Sequence, residues 1–335
     1  MKIPKSFEAR LRLTKQLLAF GSLALVVLLL PATKANAQTN CASLESGLKG
    51  LEAARSRLQQ SLQKAAGEDK QSLVQQIREL ESEIRQAQTK LDRCKGIRMS
   101  WTVAGRQREA LVFPPASNTP AGRHPLVFAW HGHGGTMQSA EQDMRFETLW
   151  PEAIVVYPQG LKAEDNRYGW QKELGVDGDR DLKFFDTMLA ALRQRFPVDD
   201  DRIYTTGFSN GTGFTYLLWA ERGHLLAAIG AVSGELQASE RNKLSSPRAL
   251  IAIYGTGAHT ASQQIQNETI DRARAVDKAT ASAEQCPTPT GAASCKLYPS
   301  TINTPVKEIK HDGGHVYLSW EPEEVVKFFK NHKKP

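Results

Sequence analysis

From residue 125 to the carboxyl end, short and almost wholly apolar runs alternate with longer stretches in which apolar residues recur every three or four positions. The apolar runs fall at 125–130, 153–157, 202–206, 227–232 and 249–254. Runs this short, without polar alternation, suit strands covered on both faces, as in a parallel sheet. Between them, 181–196 reads as a helix that stops before Pro197, and 212–222 as a second one. A further strand is expected at 306–310 and a last helix around 321–330. The pattern predicts an α/β domain over residues 98–335, with a mostly parallel sheet flanked by helices.

The segment before this domain follows a different rule. Between Cys41 and Cys94 there is no proline, and Gln, Lys, Arg, Glu, Ala and Leu dominate, which favours helix. One apolar seam runs through Cys41, Leu44, Leu48, Leu51, Arg55, Leu58 and Leu62, and another through Leu73, Ile77, Leu80, Ile84, Ala87, Leu91 and Cys94. Gly67-Glu68-Asp69 separates them. If the chain folds back on itself there, the seam positions face one another in pairs whose numbers all sum to 135, from 41 with 94 to 62 with 73. We therefore expect an antiparallel two-helix coiled-coil hairpin over residues 38–97, closed at its open end by a Cys41–Cys94 disulfide. In the chain-entropy view such a bridge stabilises the hairpin by up to about 4 kcal/mol. A two-helix element with one narrow seam suits a spacer or an assembly surface, not a catalytic role.

Composition changes the picture mainly at the amino terminus. The chain has 335 residues with a formal charge of +7, which on its face invites a nucleic-acid reading. Lys2, Lys5, Arg10, Arg12 and Lys15, however, precede the apolar run 17–30, and Ala35-Asn36-Ala37 then offers a small-x-small cleavage pattern. This is the form of an export signal, expected over residues 1–37. Its removal takes away six Lys or Arg and one acid, so the charge falls to +2 and no nucleic-acid partner is implied. A membrane association is expected only if the segment stays uncleaved. Mean hydropathy of −0.43 and a single long apolar run exclude a polytopic membrane protein. Four cysteines fit a secreted or periplasmic, disulfide-permissive location, and no CxxC or His/Cys cluster stands at zinc spacing. Cys286 and Cys295 bracket a Pro- and Gly-containing loop and are expected to form the second bridge.

The chemistry sits where parallel strands end. After the run 202–206 comes Gly207-Phe208-Ser209-Asn210-Gly211, a G-x-S-x-G motif between a buried strand and an apolar helix. Its glycines permit a sharp turn that raises the Ser209 hydroxyl as a nucleophile. The loop after the first apolar run reads His131-Gly132-His133-Gly134-Gly135, suited to bring backbone N–H groups near a developing oxyanion. The two expected donors are the amides of Asn210 and His133. His315, in the glycine-containing segment after the strand at 306–310, is the expected general base, whereas His311 is placed within that strand as a packing residue. His124, His224 and His332 are expected to be solvated, and Trp130, Trp170 and Tyr168 are candidates for lining an ester pocket. No cofactor is implied.

The segments 131–135, 154–160, 202–213, 227–234 and 313–317 together resemble those of secreted polyhydroxybutyrate depolymerase and feruloyl esterase-type α/β-hydrolases. The resemblance covers about residues 100–335 and leaves out the hairpin. It implies an eight-stranded-type hydrolase sheet, a Ser-acid-His triad in that chain order, and as substrates esters of exported polymers or plant cell walls, feruloyl or acetyl esters of polysaccharide or polyhydroxyalkanoate-type polyesters, met as small molecule or polymer. Members of that family usually carry His-Gly-Thr-x-Asp after the seventh strand, the aspartate being the triad acid. Here the segment is Tyr254-Gly255-Thr256-Gly257-Ala258-His259, and alanine takes the place of the acid. Three readings follow: an acid relocated to Glu235, after the run 227–232; a Ser-His dyad without acid; or an impaired hydrolase fold kept as a binding or scaffold protein of the cell envelope.

Overall fold

The computed structural model describes residues 34–116, 122–257 and 260–335. Residues 1–33 of the expected export signal, as well as Ala258 and His259, lie outside the described residues. The chain divides into two compact units, Met1–Ala42 and Ser43–Pro335. Among the described residues no helix is long and apolar enough to cross a membrane.

Two long helices open the described chain, α1 (Lys34–Leu62) and α2 (Gly67–Lys95). The seam positions named above from Leu44 to Cys94 are buried or half-buried, with Leu48 and Ile77 the most enclosed, while the intervening Glu, Gln, Arg and Lys residues are largely exposed. Lys95 pairs with Glu45, so the end of α2 returns to the level at which the second unit begins. Cys41 and Cys94 are both disulfide-bonded. Helix α2 passes into the sheet through one residue, Gly96, at φ 70°. A Cβ there would lie 2.8 Å from Leu111 Cδ1 and 2.9 Å from the Phe113 ring, so both the backbone and the packing require glycine.

The sheet has ten strands. In chain order its members are β1 (Ile97–Val103), β2 (Arg106–Phe113), β3 (His124–Trp130), β4 (Ile154–Pro158), β7 (Val198–Phe208), β8 (Ala228–Val232), β9 (Ala249–Gly255), β10 (Glu284–Gln285), β11 (Ser294–Tyr298) and β12 (Val306–His311). A separate two-stranded ribbon pairs β5 (Leu161–Lys162) with β6 (Tyr168–Gly169). The spatial order is β1-β2-β4-β3-β7-β8-β9-β12-β11-β10. Strands β4, β3, β7, β8, β9 and β12 run parallel, and antiparallel pairs extend both edges. The eight strands from β1 to β12 match the expected arrangement. Beyond them β11 and β10 form an added margin, stapled by the Cys286–Cys295 disulfide.

Strands β3, β4, β8 and β9 are buried at every position, as their unbroken apolar runs require. Alternate residues of β3 feed two separate cores. Leu126, Phe128 and Trp130 join the layer formed with α5 (Arg180–Arg195) and α6 (Asn210–Arg222), whereas Val127 and Ala129 join the layer formed with α3 (Met137–Met144) and α9 (Glu321–Lys330), the short α4 (Phe146–Leu149) contributing Phe146. Trp130 is therefore a core residue and not a pocket wall. His124 is also fully buried, opening β3 with Nδ1 3.0 Å from the Glu152 carbonyl, and His332 is half-buried beside Phe328. The expectation that these two histidines are solvated fails because strand and helix ends here are packed under neighbouring segments. His224 is exposed as expected.

Candidate active site

Strand β7 and helix α6 meet at Ser209, which adopts φ 56° and ψ −116°, a conformation that L-residues occupy only under strain. Its backbone is held on both sides: the Ser209 N–H donates to the Val232 carbonyl (3.0 Å), and its carbonyl accepts from Gly213 (3.1 Å). The flanking glycines are steric necessities. A Cβ on Gly207 would sit 2.4 Å from the Gly211 backbone, and one on Gly211 only 2.3 Å from the Trp130 carbonyl oxygen. Sheet, turn and helix can close this tightly only without those side chains.

His315 follows β12, and its Nε2 lies 2.8 Å from Ser209 Oγ. The Phe208 ring packs against the imidazole, with centroids 5.1 Å apart. With Nε2 as the nitrogen facing the hydroxyl, a neutral imidazole accepts the serine proton there and carries its own proton on Nδ1. Among the described residues no side chain is hydrogen-bonded to that Nδ1. Glu235, the relocated acid considered above, lines the same cleft, but its carboxylate makes no hydrogen bond or ion pair among the described residues, to His315 or to any other group. The position where relatives of this type carry aspartate is Ala258, outside the described residues.

His133 and Asn210, whose amides are expected to hold an oxyanion, line a cleft of about 600 Å³ with Ser209 and His315, and among the described residues no acceptor is hydrogen-bonded to either N–H. The loop carrying His133 is pinned from several directions. Gly134 N–H donates to the Tyr168 carbonyl (2.7 Å), and Gly135 N–H to the Gly132 carbonyl (3.0 Å). The His133 ring binds Asp165 (2.6 Å), and this hydrogen bond, with those from Arg167, holds the Asp165 carboxyl down at about 2.

Buried His131 supports the loop from below. Burial pushes its pKa down to about 4, so the ring is neutral. Its Nε2 accepts the Gly160 N–H (3.0 Å), which places the ring proton on Nδ1, donating to the Gly132 carbonyl (2.7 Å).

Arg108, Asp181 and Gln171, which support the cleft, carried no recognisable signal in the sequence, and neither did the hold of the Asn210 side chain on Trp170. The Asn210 side chain clamps Trp170, accepting its N–H (2.7 Å) and donating to its carbonyl (3.1 Å), while the Trp170 indole donates to the His131 carbonyl (2.9 Å). Trp170 thus lines the cleft as expected, whereas Tyr168 serves through its backbone. Arg108 and Asp181 form a fully buried ion pair at 2.7 Å, and Asp181 accepts the N–H of Gln171, another cleft residue (2.8 Å). The Asn210–Trp170 and Arg108–Asp181 links join residues 40 and 73 positions apart, which no local motif could announce.

A serine at a strained strand-to-helix turn and a histidine delivered after the last parallel strand, on this sheet order, make the fold that of the α/β-hydrolases. Residues 108–253 match the family model described as Esterase PHB depolymerase. Feruloyl esterase D of Neurospora crassa is 28% identical over 174 residues, 48% of this chain and 57% of that protein. A probable feruloyl esterase C of Aspergillus terreus is 25% identical over 224 residues, 62% of this chain and 76% of that protein. An acetyl xylan esterase from Aspergillus awamori has the same fold, with a TM-score of 0.56 at 16% identity, over 70% of this chain and 100% of that one. Over residues 108–253 the sheet domain is similar to the polyhydroxybutyrate-depolymerase-like esterases. The chain spans about half the length of several curated relatives that it matches.

Proposed function

We propose that the protein is an exported serine esterase that hydrolyses carboxylic esters through an acyl-enzyme. The observation that carries this reading is the 2.8 Å contact between Ser209 Oγ and His315 Nε2 in a cleft also lined by His133 and Asn210, whose amides find no acceptor among the described residues. His315 takes the Ser209 proton as Oγ attacks the ester carbonyl. The His133 and Asn210 amides receive the negative charge of the tetrahedral intermediate. The imidazolium then protonates the leaving alcohol, and water drawn through the same histidine releases the acid. With no carboxylate among the described residues bonded to its outer nitrogen, His315 works as half of a dyad, and loss of the acid in such enzymes lowers kcat by about 10⁴-fold while leaving measurable catalysis. The export signal over 1–37 and the disulfides support a secreted or periplasmic setting, with the helical pair over 38–97 as a spacer or assembly element.

The names of the relatives point to feruloyl, acetyl and hydroxyalkanoate esters as the substrates to try. A fluorophosphonate probe should label the wild-type protein and fail on Ser209→Ala. A panel of short nitrophenyl esters, methyl ferulate and hydroxybutyrate oligomers then ranks the acyl group. The outer nitrogen of His315, without a side-chain partner among the described residues, favours one second reading, a hydrolase fold retained for binding. A wild-type protein that never labels decides for that reading.

A further inference from the structure

Behind the segment that presents His315, two titratable side chains are sealed from solvent. His311, the last residue of β12, is 1% exposed, and Glu321, the first residue of α9, is 0% exposed. Their Nε2 and Oε1 atoms approach to 3.4 Å. Each also holds one backbone amide of the intervening segment. Gly313 N–H donates to His311 Nδ1 (3.1 Å), which leaves the ring proton on Nε2, facing Glu321. Glu321 Oε2 accepts the Leu318 N–H (2.8 Å). The stretch from 313 to 318 is thus gripped just before and just after His315 by one imidazole and one carboxyl that face each other.

The surroundings make this pair costly to keep for stability alone. The Trp320 ring lies with its centroid 6.3 Å from that of His311, and among the described residues neither Lys nor Arg pairs with Glu321. Apolar residues of equal volume commonly match or exceed the stability of such a buried polar pair. What apolar residues cannot supply is two directional hydrogen bonds to a loop whose own glycines leave it free to move.

We propose that His311 and Glu321 are positioning residues for His315: through the Gly313 and Leu318 amides they set the imidazole at hydrogen-bond distance from Ser209 Oγ. This rests on the reading of Ser209 and His315 as the reacting pair.

The test uses the full chain and three variants: Glu321→Gln, Glu321→Ala, and the apolar pair His311→Phe with Glu321→Leu. Three quantities are read: the rate of fluorophosphonate labelling, kcat and KM on a short nitrophenyl ester, and the melting temperature. The ¹⁵N signals of the His315 ring report its bond to Ser209 whether or not ester is turned over. For Glu321→Ala and the apolar pair, labelling and kcat should fall by about 10- to 100-fold, the range that a misplacement near 1 Å produces, with KM within about twofold. Glu321→Gln, which still accepts the Leu318 amide, should recover most of the rate. The decisive case is an apolar-pair variant as thermostable as wild type yet slow, with shifted His315 ring signals. Wild-type rate and unchanged His315 signals in that variant would overturn the proposal. If the wild type itself does not label, the esterase reading fails, and the His315 ring signals alone then decide the positioning proposal.

Discussion

The backbone of Ser209 offers a direct measure of how much strain the candidate nucleophile carries. At φ 56° and ψ −116° a residue with a Cβ is held on the side of φ where glycine alone sits without penalty. Strain of this kind costs about 1–3 kcal/mol and persists only where neighbours over-determine the conformation. Here they do so through the Val232 and Gly213 hydrogen bonds and the backbone contacts at Gly207 and Gly211. Ser209→Ala keeps the strain, whereas Ser209→Gly relieves it, and both lose the bond to His315, so comparing the two isolates the backbone. Glycine also gains freedom in the unfolded chain, offsetting about 0.4–1 kcal/mol. Ser209→Gly should therefore be the more stable of the two by about 0.5–2 kcal/mol, or roughly 2–4 °C in melting temperature for each kcal/mol. Urea and thermal unfolding of the two variants in one buffer provide the assay. Equal stability, or a less stable glycine variant, would refute the idea that this turn stores strain.

Two further outcomes follow from buried groups and the added sheet margin. Burial raises the pKa of Asp277 to about 8, and does the same to Glu321. Between about pH 4 and 8 the folded state keeps protons that the unfolded chain releases, so stability should fall as pH rises through that window. Asp277→Asn, still able to accept the Arg248 N–H, should flatten the fall between pH 5.5 and 8 in melting-temperature scans, and an unchanged slope would count against it. Reduction of Cys286–Cys295, or its replacement by two serines, opens a loop with a sequence separation of 9. Denaturation midpoints should then report a loss of about 2–3 kcal/mol in the chain-entropy model.

Where burial is continuous the chain announced its own structure. The strands expected at 249–254 and 227–232 lie within one residue of β9 and β8, because no polar residue interrupts them. Strand β7 runs from Val198, well before the expected start at 202, since Asp199, Asp200 and Asp201 look like a turn but extend the strand at its exposed end. Arg106 and Arg108 hid β2 in the same way: Arg108 is charged yet buried, its partner Asp181 being supplied from the start of a distant helix. Ser209 and His315, which the structure brings together, could be read because local turns place them. The acid could not, because whether a carboxylate such as Glu235 meets an imidazole depends on how two loops lie in space.

The single-residue joint at Gly96 has a mechanical consequence. Arg93, three residues before it, donates to the carbonyls of Pro114, Glu147 and Pro151, so the last turn of α2 is moored to the same body that bears the cleft. A helix of 29 residues reaches about 43 Å at the standard rise. Force applied at its far tip would reach the first edge strand undamped, as through a mast stepped into a hull, with no slack tether to absorb it.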